Sequence, residues 1–231
     1  MNLLAFDAAT TSCSVACWSD GVITDEYLEY SKKRQAEILI PMILSTMEKA
    51  QFDFSLLDAI AVTVGPGSFT GVRIGLATAR GLALASKTPL VGITTLQTLA
   101  AAVKIQKSNE IIVATLDARR NQIYTQLFSN PDNPISDPFV TSSDNLYAYL
   151  LNKFPEKRQL LLVGSGTAKT AKLLNKMNWN FTIADVPQYP QANVITEIVA
   201  KRGLQVKEQS TVRPLYLRNF GSEREHSTIK T

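Results

Sequence analysis

The stretch Asn2-Leu3-Leu4-Ala5-Phe6-Asp7-Ala8-Ala9-Thr10-Thr11-Ser12-Cys13-Ser14-Val15-Ala16-Cys17-Trp18-Ser19-Asp20-Gly21-Val22-Ile23-Thr24-Asp25-Glu26-Tyr27-Leu28 reads as three strands folded back on one another. Residues 2–7 are an apolar run that ends on Asp7. Ala8 to Ser12 is small and polar, so the chain turns there. Ser14 to Trp18 alternates as a strand does. Asp20-Gly21 is a strong hairpin signal, and Val22 to Leu28 returns as the third strand. An antiparallel meander at the start of a chain that continues with helices predicts a mixed sheet, not a simple Rossmann order.

Working outward, residues 32–50 read as a helix in which Pro41 should kink or loosen one turn. Residues 59–64 are a β-branched strand stopped by Gly65-Pro66-Gly67, and Ser68 or Thr70 can cap a helix running to about Ser86. A short strand at 90–93 leads to a helix capped by Thr94 or Thr95 and reaching about Ile105. The second half repeats the theme. Strands at 111–116 and 122–128 flank the turn Asp117-Ala118-Arg119-Arg120-Asn121, and a loop follows at 130–134. A helix from Ser142 or Ser143 to about Asn152, a strand at 160–163 and Gly164-Ser165-Gly166 come next. Helices from Thr167 and over 194–202 close the pattern. The expectation is an α/β fold of two similar lobes, each a mixed sheet with flanking helices, around a cleft. Residues 1–105 form the first lobe, completed by a helix at about 193–203. Residues 106–218 form the second, and 219–231 a disordered tail.

Composition narrows the function. The 231 residues are 45% hydrophobic, enough for a sizeable core. No targeting signal opens the chain and no apolar run nears the roughly 20 residues that span a bilayer, so the cytoplasm is the expected compartment and no membrane is expected as a partner. Cys13 and Cys17 sit four residues apart on a strand, about 13 Å, too far to bridge, and read as two buried thiols in a reducing compartment. The net charge of +4 permits nucleic-acid contact without requiring it, and much of the excess falls on Arg213, Arg218, Arg224 and Lys230, a solvated end. The one histidine is His226. A histidine metal pair, a Ser-His pair and a Cys-His pair are therefore all lacking, which excludes the common zinc and iron hydrolases and expects no resident metal.

Three places invite a functional reading. Asp7, Thr10 and Thr11 could offer a carboxylate, hydroxyls and backbone N–H groups to a phosphate, or Asp7 could simply cap its turn. Val62-Thr63-Val64-Gly65-Pro66-Gly67-Ser68-Phe69-Thr70-Gly71-Val72-Arg73-Ile74-Gly75 runs strand, Gly-rich turn, helix; it suits an anion but lacks the Gly-Lys-Ser/Thr ending of a P-loop. In the helix that follows, Gly71, Gly75 and Ala79 recur every four residues, as do Ala77, Gly81 and Ala85. Glycines cost about 1 kcal/mol each against alanine inside a helix, so a close-approaching backbone is expected, from the chain's own sheet or from a partner. The helix over 32–50 carries apolar residues through an arc of roughly 200°, twice the stripe needed for one core. Ile40, Leu44 and Met47, or Ile38 and Met42 on the other side, thus look for a second surface.

Leu4-Ala5-Phe6-Asp7-Ala8-Ala9-Thr10, Gly65 to Gly75 continuing through Ala79-Arg80-Gly81-Leu82-Ala83, Asp117-Ala118-Arg119 with Ile123-Tyr124, and Arg213-Pro214-Leu215-Tyr216-Leu217-Arg218 fall in the order seen in the TsaB (YeaZ) family, which the sequence resembles. The resemblance implies an actin-like ATPase fold shared with the larger TsaD, a metal-binding transferase that makes threonylcarbamoyladenosine at position 37 of tRNAs reading codons that start with A. It implies a non-catalytic chain that forms a heterodimer with TsaD, joined by the ATPase TsaE, and a homodimer through the same helices when alone. It implies tRNA met only through the complex, and ATP or ADP held in that complex and not by the isolated chain. Ile38, Ile40, Met42, Leu44 and Met47 would then make apolar contact with the partner. Gly71, Gly75 and Ala79 would let its backbone approach, and Glu37 and Arg73 would fix register. The sequence departs from the pattern at Ala9, where actin-like kinases place glycine, and at 32–37, where family members often carry histidine. A small ATP-dependent kinase or ATPase with Asp7 at its metal is the enzyme alternative. A peptidase and a stand-alone RNA-binding protein are further ones, opposed by the missing nucleophile–base pair and by the lack of basic residues interleaved with aromatics.

Overall fold

The computed structural model describes residues 1–30, 34–103, 109–204 and 212–218. The disordered tail expected over 219–231 and the first residues of the expected helix at 32–50 lie outside them. The opening meander forms as expected: β1 (Asn2–Asp7), β2 (Ser12–Ser19) and β3 (Val22–Tyr30). Then come α1 (Gln35–Lys49), β4 (Ala59–Thr63), α2 (Phe69–Ser86), β5 (Leu90–Ile93) and α3 (Thr95–Ala101). The sheet runs β3-β2-β1-β4-β5, with β1, β4 and β5 parallel. The second half contributes β6 (Ile111–Asp117), β7 (Gln122–Asn130), β8 (Asn133–Pro134), β9 (Phe139–Ser142), α4 (Ser143–Lys153), β10 (Leu160–Val163), α5 (Thr167–Lys176), β11 (Phe181–Ile183) and α6 (Ala192–Arg202). Its sheet runs β11-β10-β6-β7-β8, with β9 also on β7.

Local chemistry sets the boundaries. The Ser68 hydroxyl accepts from Gly71 N and starts α2; the Thr94 hydroxyl accepts from Gln97 N and starts α3. α1 runs unbroken through Pro41, which sits on its exposed side. Cys13 and Cys17 are free and fully buried on one face of β2, and desolvation pushes both thiols up to about 12.

Each sheet is covered on both faces. In the first, Leu4, Phe6, Val15 and Ile60 meet α1 and α2, while Leu3, Ala5, Ala16 and Ala61 on the opposite face meet Ile195, Ile198 and Val199 of α6. In the second, Ile111, Val113 and Leu162 meet α4 and α5, and Ile112, Ala114 and Val163 meet Leu96, Leu99 and Ala100 of α3. The two closing helices are thus exchanged. α3, which the sequence reading puts in the first lobe, buries its apolar side on the second sheet, and α6 covers the first.

Candidate functional site

Asp7 ends β1 with its carboxyl fully buried. The Thr63 hydroxyl donates to Oδ1 at 2.5 Å and Ala9 N at 3.1 Å, while Oδ2 has no partner among the described residues. Desolvation pushes this acid up to about 7, against the opposing pull of the two hydrogen bonds. The turn after it is spent on the chain's own needs. Ala9 O accepts from Ser68 N at 2.7 Å, Thr10 O accepts from the Gln35 side chain at 2.9 Å, and the Thr10 hydroxyl lies 3.1 Å from that of Ser12. Asp7 is sealed inside, Thr10 is nearly so and Thr11 faces solvent, so the three predicted residues do not meet at one open site. The reason is the Gly-rich turn: Gly67 comes so close that a Cβ there would stand 2.2 Å from Ala9 O.

The interface residues predicted on α1 and α2 divide. Ile38, Met42 and Met47 are not available to a partner: they are buried in the core against the first sheet, and Cys17 Sγ lies 3.7 Å from Met47 Sδ. Met42→Ala is accordingly expected to cost about 2–4 kcal/mol of folding free energy in urea denaturation, as core truncations do. Gly71, Gly75 and Ala79 also face inward, toward the Ala8 end of β1 and Val62 of β4, so the backbone they admit belongs to the chain itself. Their stripe was ambiguous from spacing because own sheet and foreign helix make the same demand. Ile40 and Leu44 do stay outside, 40% and 53% exposed. Glu37 is also outside, paired with Arg34 at 3.1 Å. Arg73 is exposed too, but its guanidinium lies 3.5 Å over the Phe69 ring and its Nε donates to Tyr216 Oη at 3.0 Å.

α2 packs beside α1 and turns the second small-residue stripe outward. Ala77, Gly81 and Ala85 are exposed, and among the described residues nothing lies within 4 Å of a Cβ at Gly81. Leu84 is 74% exposed beside them, a residue the sequence reading did not single out. Its seven-residue spacing from Ala77 was the available signal. Ile40 and Leu44 of α1 and Ala77, Gly81 and Leu84 of α2 are thus exposed on two helices that pack side by side.

The second lobe has a comparable strand end. Asp117 accepts from Lys169 Nζ at 2.6 Å and from Arg119 N at 2.8 Å. Partial burial works against its charge, yet those two donors and their positive charges prevail and hold the carboxyl below the usual range. Gly164 adopts φ +99°, and a Cβ there would stand 2.1 Å from Thr115 O. Both lobes therefore set a glycine turn from the neighbouring strand against the end of their first strand, but Asp7 is buried beneath it whereas Asp117 stays exposed. Among the described residues, no group of three or more His, Cys, Asp or Glu side chains is placed to hold a metal ion, and no helix is long and apolar enough to cross a membrane.

Two lobes, each a meander joined to parallel strands in the order 3-2-1-4-5 or its counterpart, with closing helices at the junction, define the actin-like ATPase fold. The family model described as TsaD, tRNA N6-adenosine threonylcarbamoyltransferase, matches residues 29–219. The chain is 35% identical over 135 residues to an Escherichia coli protein named tRNA threonylcarbamoyladenosine biosynthesis protein TsaB, a match spanning 58% of each. It is 30% identical over 227 residues to the Haemophilus influenzae protein of the same name, spanning 95% of this chain and 94% of that one. A Pseudomonas aeruginosa structure, described as an uncharacterized protein similar to peptidase YeaZ, superposes with a TM-score of 0.77 at 26% identity and covers 94% of this chain and 99% of its own. The chain belongs to the TsaB (YeaZ) family.

Proposed function

We propose that this chain is a non-catalytic subunit of the machinery that makes threonylcarbamoyladenosine in tRNA, working in the cytoplasm by docking TsaD on the outer faces of α1 and α2. The observation that carries this reading is the exposure of Ile40, Leu44 and Leu84 on the adjacent helices α1 and α2, with no described atom within 4 Å of a Cβ at Gly81. Exposed leucines flanking a bare helix backbone suit the close approach of a second helix, where dispersion contacts are densest. The names of the relatives supply the pathway. The sealing of Asp7 supports the absence of phosphate chemistry in this lobe, and ATP or ADP then belongs to the assembly with TsaD and TsaE. tRNA is met through the assembly, and the same helices pair two copies when TsaD is absent.

Light scattering on a sizing column tests this with the chain alone and mixed with TsaD of the same organism. A one-to-one complex that replaces the homodimer is expected. Separate elution, with and without TsaE and nucleotide, would end the reading. Leu44→Glu and Leu84→Glu should each weaken the complex roughly 30- to 300-fold, the scale of an interface hot spot. Both should leave the thermal transition in place, because each side chain is half or more exposed in the isolated chain.

A further inference from the structure

Residues 212–218 belong to no helix or strand, yet they are tied down at both ends. On the first lobe, Val212 and Leu215 pack into the core shared with α1 and α2. Leu215 N donates to Val64 O at 2.7 Å, and Arg80 Nη2 donates to Val212 O at 2.7 Å. Tyr216 lies 5.3 Å from the Phe69 ring and takes the hydrogen bond from Arg73. The first lobe is cut to receive this segment. A Cβ at Gly65 would stand 2.8 Å from Leu215 O, and one at Gly92 would stand 2.8 Å from Val212 Cγ1. On the second lobe the hold is Arg218. Its Nη2 donates to Ala118 O at 2.9 Å and to the Gln122 side-chain oxygen, and its guanidinium lies 5.9 Å from the Tyr124 ring.

Val64 and Gly65 follow the carboxyl end of β4, and Ala118 follows that of β6. The crevice outside the carboxyl ends of parallel strands is where an open α/β sheet receives its ligand. Here the chain's own backbone and one arginine bridge that crevice. The hairpin turn that Arg218 grips is unusual in itself, with Arg119, Arg120 and Asn121 all at positive φ, a conformation that surrounding contacts must sustain. Elsewhere the lobes meet where α3 packs on α6, a helix contact of the kind that shears and hinges, and where Lys201 of α6 pairs with Asp132.

We propose that residues 212–218 are a clasp that fixes the angle between the lobes, taking the bridging part that a ligand in the crevice would otherwise play. This needs no second protein, so it stands or falls apart from the TsaD reading.

Pulsed spin-label distance measurement tests it. Glu48→Cys on α1 and Asn152→Cys on α4 place labels on exposed sites of the two lobes, while the fully buried Cys13 and Cys17 stay unlabelled. Arg218→Ala is expected to broaden the interlobe distance distribution roughly twofold, as release of a hinge does. It should also speed exchange of the Ala118 and Gln122 amides about tenfold, with the amides of the two sheets unchanged. A distribution and an exchange pattern that match the unmutated chain would overturn the clasp. Should Arg218→Ala fail to fold, Gln122→Ala decides: it removes one acceptor and leaves the segment intact. Partial broadening supports the clasp, and no change in either readout ends it.

Discussion

Gly71→Ala is expected to cost about 3–5 kcal/mol, a third or more of the stability of an ordinary domain. The added Cβ would stand 2.1 Å from Ala8 O and 3.3 Å from Ala8 C, and both are backbone atoms. The helix cannot step back, since Ser68 N is bonded to Ala9 O at its start and Ala79 and Ala83 are fully buried further along. Overpacking of this kind ordinarily costs about 1–3 kcal/mol, and more when neither side can yield. The sister glycines should behave in the opposite way. At Gly75 the nearest atom to a Cβ is Val62 Cγ2 at 3.5 Å, ordinary contact, and at Gly81 no described atom lies within 4 Å. Alanine at either is expected to stabilise by up to about 1 kcal/mol through helix propensity. In thermal melts, the Gly71 variant should fall by roughly 10 °C and the other two should hold or rise slightly. A Gly71→Ala melt matching that of the unmutated chain would show that the turn beneath α2 is not fixed.

The second large effect is on pH dependence. Asp7 is raised from 3.8 to about 7 in the folded chain, so the unfolded chain gives up this proton at lower pH than the folded one. The stability this group lends is complete below about pH 4 and is lost as pH rises through the folded value near 7. The full difference is on the order of 4 kcal/mol, since each pKa unit is worth about 1.4 kcal/mol. Asparagine at position 7 keeps a carbonyl oxygen for Thr63 and Ala9 and cannot ionise. Urea denaturation at pH 5 and pH 8 should therefore show the Asp7→Asn variant gaining on the unmutated chain at the higher pH. Equal pH dependence of the two proteins would mean that Asp7 ionises freely in place.

Much of the first lobe was legible because its signals are local. The Asp20-Gly21 turn, the β-branched 59–64 run and the Ser68 and Thr94 caps each act within a few residues. The candidate interface was legible only in part. The 200° apolar arc on α1 correctly announced more hydrophobic surface than one core needs, but periodicity does not say which edge of the arc faces inward. Met42 and Met47 went in and Leu44 stayed out because the sheet lies on that side. The glycine stripe carried the same ambiguity, resolved by Ala8 O beside Gly71 and by open space beside Gly81. The role of Arg73 and Arg218 in holding one segment could not be read at all, since their partners are 143 and about 100 residues away in the chain.

The exchange of α3 and α6 has a temporal side. While the chain is being made, β1, β4 and β5 can pair early, but the face of Leu3, Ala5, Ala16 and Ala61 has no cover until Ala192–Arg202 emerges. At roughly 5–20 residues per second, that leaves an apolar sheet face waiting for about 5–20 s. During that interval the nascent first lobe exposes the kind of apolar sheet face that aggregates and that chaperones cover. A chain truncated before residue 192 would remain in that state permanently.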